Sequence, residues 1–196
     1  MMFADGVLLV GVLGLPVAAA GWGIPALSTL AVPTIAMLIP RALGLKPALE
    51  AAFGLALLVA SWSIILDLYA SWTNWDLAVH AALNGLVAAV GVSLLTRLRL
   101  LPSDDDVGHP RLSVALVTTM FGVFCGVLWE FFEWAANEFF EQTLFVSYSD
   151  TLADIAVGGV ASAVAGCALA FGGRSNLASA SAYNERSTHE SSSRTM

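Results

Sequence analysis

The sequence predicts an all-α, polytopic membrane protein with six transmembrane helices. Three observations lead there. Hydrophobic residues make up 58% of the 196-residue chain and charged residues only 12%, roughly half the charged share of a soluble domain. Apolar runs of about 17 to 24 residues recur, long enough at 1.5 Å per residue to cross a hydrocarbon core. Division into six spans also sorts every Lys and Arg onto one side of the membrane. Mean hydropathy is +0.79. The alternating pattern of an outer-membrane barrel strand is absent. With a net charge of −7 and no basic stripe, the chain is not built to hold nucleic acid.

Span one is expected over residues 6–21. Ala18-Ala19-Ala20 imitates a signal cleavage site, but Asp5 stands where a signal peptide carries positive charge, so the stretch reads as a retained span. Span two follows at 24–40. Pro33 leaves the Thr29 carbonyl without its helical donor, which predicts a kink. These two short, proline-bearing segments also fit a re-entrant unit. Span three is expected over 49–69, span four over 75–96, span five over 112–134 and span six over 151–171. The membrane domain thus covers 1–173. The Ser-rich remainder, 174–196, has too few large apolar residues to order itself and reads as a disordered cytoplasmic tail.

Arg41 and Lys46 lie between spans two and three, Arg97, Arg99 and Arg111 between spans four and five, and Arg174, Arg186 and Arg194 after span six. These are all eight basic residues. The positive-inside rule then places both termini in the cytoplasm of a cell whose inner, plasma membrane holds the protein. Asp104-Asp105-Asp106 and His109 read as a solvated inner turn. Cys125 and Cys167 sit inside apolar runs and read as small buried hydrophobes.

Six acids of the spans gather toward the outer ends. Asp67 falls near the outer end of span three. Asp76, His80 and Asn84 follow at successive i,i+4 steps in span four. Glu130 and Glu133 lie three apart near the outer end of span five, and Asp150 and Asp154 four apart at the start of span six. Residues at these spacings share one helix face. Ionisable groups at membrane depth are costly, and mark a functional site by default. A weak internal repeat overlays WDLAVHAALNGLVAAVG on SDTLADIAVGGVASAVA, matching Asp76 to Asp150, His80 to Asp154 and Gly85 to Gly159. Spans three to six then form two similar hairpins about an axis along the membrane normal. Gly85, Gly91, Gly158, Gly159 and Gly166 let those helices approach closely.

Six carboxylates and one imidazole, with no Lys or Arg on that side, cannot all stay ionised in a dry pocket. Partial protonation, a water-filled vestibule or a bound cation resolves the conflict. The ligand types suit a divalent metal such as Mg²⁺, Ca²⁺, Mn²⁺ or Zn²⁺, with His80, Glu130, Glu133 and Asp154 as the candidate ligands. Simpler roles compete. Asp76 and Asp150 are placed to cap helices four and six. His80 also fits a neutral core residue bonded to Asn84 or Asp76, and Glu138 and Glu141 read as solvated. Trp72, Trp75, Trp129 and Trp134 fit an outer aromatic belt whose indole N–H groups can reach the acids.

Trp75-Asp76-x-x-x-His80, then Trp129-Glu130-x-x-Glu133-Trp134, then Asp150-Thr151-x-x-Asp154 with Gly159 beyond, resembles small bacterial inner-membrane proteins of the YjdF type, a group similar to the broader VanZ-like proteins. The resemblance spans residues 67–166. It implies a multi-span protein of the bacterial cell envelope, and the VanZ-like side of it a glycopeptide-like ligand. The VanZ-like pattern is incomplete: Gln142 is the only Gln, no Arg falls between the acids, and Gly158 stands where that pattern has an Asn.

Three functions follow from the residues. The first is an integral membrane protein whose outward-facing carboxylate/His cluster binds a cation, a proton or an envelope molecule. The second is a metal-dependent hydrolase or transferase acting on an envelope lipid, with the metal activating water. The third is a small proton-coupled transporter. The bilayer is the one partner that composition requires.

Overall fold

The computed structural model describes residues 2–101, 108–140 and 147–172. Asp104 to Asp106, Glu141, Gln142 and the tail 174–196 lie outside the described residues. Those described are helical apart from short turns: α1 (Met2–Ala36), α2 (Leu38–Ala42), α3 (Pro47–Ile65), α4 (Leu68–Ser71), α5 (Trp75–Arg97), α6 (Pro110–Phe140) and α7 (Tyr148–Phe171).

The first 41 residues of helix are not one rod. Gly23 has φ 81° and ψ −164°, a conformation in which a Cβ would be strained, and the chain reverses there. The consequence is visible along both limbs. A Cβ on Gly11 would meet Thr34, and one on Gly14 would meet Leu30. Arg41 reaches back to Asp5, Nη2 to Oδ1 at 2.5 Å. In a straight helix those two residues would be about 54 Å apart. The limbs 2–22 and 24–42 are therefore an antiparallel hairpin, each about 28–31 Å long and able to cross a hydrocarbon core. The reversal lies at Gly23, and the backbone stays helical through Pro33. Pro25 falls in the first turn after the break, where a missing N–H costs nothing.

Cross-linking tests the hairpin. Gly11→Cys with Thr34→Cys is expected to form an intramolecular disulfide under mild oxidation, because a Cβ on Gly11 would lie 3.2 Å from Thr34 Cγ2. Absence of that bridge by gel mobility would show the limbs apart.

The remaining helices carry similar corrections at their ends. α3 starts on Pro47 and stops at Ile65, not at residue 69. Asp67 adopts the left-handed conformation, φ 56°, and α4 is one isolated turn. Asn74, also left-handed at φ 60°, precedes α5. Short polar side chains tolerate that region better than apolar ones. α6 begins on Pro110 and runs to Phe140, six residues past the expected end. At about 46 Å it outreaches a bilayer core. Ser147 caps α7, its Oγ accepting from the Asp150 N–H at 3.2 Å.

α5, α6 and α7 pack against one another, and α3 joins them to the N-terminal hairpin. Gly91 lies against Phe121, Gly122 against Ala88 and Gly126 against Asn84, so α5 and α6 run antiparallel. Gly85 lies against Ala161 and Gly158 against Asn84, so α5 and α7 run parallel. The Ser162 hydroxyl ties the pair, reaching the carbonyls of Gly158 at 2.7 Å and Asn84 at 3.3 Å. Residues 84 and 158, equivalent in the aligned segments, thus face each other, as a two-fold axis between α5 and α7 requires. The second half of that repeat is not mirrored: α6 packs on both α5 and α7, whereas α3 also packs on the hairpin.

The two ends of the bundle differ in charge. At one end Arg41 bonds Asp5 and, through Nε at 2.6 Å, Glu50. Arg97 donates to the Leu43 carbonyl, and Arg111 lies over the Phe171 ring, 5.8 Å from its centroid. The acids of the carboxylate/His cluster are at the opposite end. Cys125 is half-buried and Cys167 exposed, both free thiols; Cys167 faces outward from α7 and is not a core residue.

Candidate functional site

The site is built where α5, α6 and α7 meet, one turn above a close triple contact. Asn84, 8% exposed, fills the space left by Gly126 and Gly158, and a Cβ on either glycine would meet its amide. Moving one helical turn toward the acidic end from each of these residues gives His80, Glu130 and Asp154. The i,i+4 spacing of a helix therefore carries a three-helix approach of small residues directly into a cluster of polar ones.

All three are buried: His80 and Glu130 are 6% exposed and Asp154 1%. The imidazole is flanked on both edges. Nε2 lies 3.3 Å from Asp76 Oδ1, an i,i+4 pair on α5, and Nδ1 lies 3.5 Å from Glu130 Oε1 on α6. Glu133 accepts a hydrogen bond from the Trp129 indole N–H at 2.8 Å. Two sets of ligand atoms lie within 4.8 Å of one another, those of Asp76, His80 and Asp154 and those of His80, Glu130 and Glu133. Glu130 Oε1 and Asp154 Oδ1 are buried without a hydrogen-bond partner. A carboxylate oxygen taken out of water in that state is costly.

Of the eight residues singled out from sequence, six meet here: Asp76, His80, Asn84, Glu130, Glu133 and Asp154. Asp67 does not. Because α3 ends at Ile65, Asp67 no longer continues its helical face, and it is exposed in a left-handed turn. Asp150 is half-buried in the first turn of α7 and belongs to neither ligand set. Neither Asp76 nor Asp150 is a cap; Asn74 and Ser147 hold those positions.

One supporting residue was read differently from the sequence and another escaped that reading. Trp75 turns its N–H to Ser63 at 2.8 Å, fastening the start of α5 to α3, so it is more than a belt residue. Tyr69, on α4, is half-buried beside the cluster. Burial first, then the negative charges of Asp76 and Glu133, push its phenol above the usual range, which keeps it an O–H donor next to the acids. The spacing of Tyr69 gave no signal, since α4 is set by the break at Asp67. Two open grooves, of about 310 and 300 Å³, are lined by apolar side chains and by none of the acids. The separations inside the cluster suit a bare ion.

No curated protein and no solved structure matches the chain. A family model described as a predicted membrane protein, DUF2238, matches residues 3–174, in keeping with the YjdF-type resemblance and with the apolar helices of the bundle. The chain is a membrane protein of the DUF2238 family.

Proposed function

We propose that the buried cluster is a divalent-cation site, with His80, Glu130, Glu133 and Asp154 as ligands and Asp76 beside them. One observation carries this reading: two carboxylate oxygens, on Glu130 and Asp154, are buried with no donor, around an imidazole and, among the described residues, with no Lys or Arg at that end. Cation binding within the two ligand sets supplies the missing partners. Nitrogen and carboxylate donors without thiolate suit Mn²⁺, Zn²⁺ or Mg²⁺. With its basic end toward the cytoplasm by the positive-inside rule, the site opens to the extracytoplasmic side of the inner membrane, and both termini lie inside.

Elemental analysis of protein purified in detergent without chelator tests this. Stoichiometric metal is expected in the wild type and is reduced in Glu130→Gln and His80→Ala. Retention falls as pH drops, because the ligands take up protons. Wild-type protein that carries no metal and takes up none on dialysis against Mn²⁺ or Zn²⁺ would sink the reading.

A further inference from the structure

We infer that the cluster is a two-ion site, with one divalent cation on each side of the His80 ring. This rests on the cation reading above and extends it to number and placement. The ring nitrogens point to different acids, Nε2 to Asp76 at 3.3 Å and Nδ1 to Glu130 at 3.5 Å. Each of these acids brings a second one within 4.8 Å, Asp154 with Asp76 and Glu133 with Glu130. Each set also contains one of the two buried oxygens that lack a donor, Asp154 Oδ1 in the first and Glu130 Oε1 in the second. A single ion at the Glu130 side leaves the Asp154 oxygen unanswered, and the reverse placement leaves Glu130.

Charge gives the same count. Asp76, Glu130, Glu133 and Asp154 bring four negative charges, and among the described residues no Lys or Arg lies near them. One divalent ion leaves two charges uncompensated in a low-dielectric setting, where such charges are costly. Two ions leave none, with the imidazole neutral. A neutral imidazole has one lone-pair nitrogen and one N–H. His80 therefore ligates the Glu130–Glu133 ion through Nδ1 and donates Nε2–H to Asp76. The Trp129 N–H on Glu133 orients that carboxylate from behind, as outer partners do at metal centres. The second ion sits between Asp76 and Asp154. Asp76 is 35% exposed, which leaves room for water to complete that ion's coordination. The first seat has mixed nitrogen and oxygen donors and the second is all oxygen. Mn²⁺ accepts both and is the natural probe.

The test is a Mn²⁺ titration of the full chain in detergent, followed by metal analysis and electron paramagnetic resonance. Two Mn²⁺ per chain are expected, with the six-line spectrum of the first equivalent broadened when the second binds beside it. Asp76→Asn and Asp154→Asn are expected to bind one Mn²⁺ with an unbroadened spectrum. Glu130→Gln and Glu133→Gln are expected to keep at most one. One Mn²⁺ per chain at saturation in the wild type, with no broadening, would overturn the two-ion arrangement while leaving the cation site standing. No Mn²⁺ in the wild type would remove both. The wild-type count decides by itself if a variant fails to fold.

Discussion

Asp154→Asn is expected to unfold at a higher temperature than wild type in chelator and at a lower one in saturating divalent cation. The reason lies in the state of one oxygen. Asp154 is 1% exposed and its Oδ1 has no hydrogen-bond partner. In metal-free protein the amide relieves a buried, uncompensated acceptor, a gain of about 1–3 kcal/mol, and its N–H₂ can donate to Asp76. In loaded protein the wild type is stabilised by linkage, about 2.7 kcal/mol at a free-ion concentration of 100 times Kd, and the variant loses part of that. Thermal unfolding in detergent, followed by circular dichroism with and without Mn²⁺, reads both arms. A variant less stable than wild type under both conditions would mean that the Asp154 carboxylate is already partnered without metal, and the cation would lose its rationale.

Relative to Gly6→Ala, Gly166→Ala is expected to destabilise the bundle by about 1–3 kcal/mol, the range for overpacking a close contact. A Cβ on Gly166 would lie 2.6 Å from the Ala115 carbonyl oxygen and 3.1 Å from its Cα, while one on Gly6 meets nothing within 4 Å. The neighbour at Gly166 is helical backbone, which cannot rotate aside as a side chain can, so α6 and α7 must separate. Both substitutions exchange the same residues inside helices, which cancels the propensity term and leaves packing. The seats that α5 forms with α6 and with α7 shift when those two helices separate, so Gly166→Ala should also weaken Mn²⁺ binding although it touches no acid. Equal unfolding temperatures for the two variants would show that α6 and α7 do not approach as closely as the structure has them.

Much of this was legible in the chain. Helical class followed from apolar run length and low charge, and the sorting of Arg and Lys marked the basic end. The i,i+4 pair Asp76–His80 and the i,i+3 pair Glu130–Glu133 were readable because helix geometry alone puts them on one face. The gathering of those faces was partly readable too: the glycines of α5 and α7 signalled close approach, and Asn84 was marked through its step from His80. The α6 glycines that complete the contact, Gly122 and Gly126, were not picked out, since a glycine in an apolar helix has no partner until the neighbouring helix is placed.

Local sequence determined where the helices are, which end is basic and which residue types could hold a cation. Tertiary structure decided which of them meet. Asp67 left the group because a left-handed turn ended α3 before it, and Asp150 stayed in the first turn of α7, outside both ligand sets. The division of the first helical run into spans 6–21 and 24–40 was legible in the chain, and the positive φ of Gly23 makes those spans a hairpin. Above all, the two unpartnered oxygens of Glu130 and Asp154 are a property of three helices at once. Spacing along a chain fixes a residue's face, but solvent exclusion and the absence of a donor depend on what the other helices bring to that face.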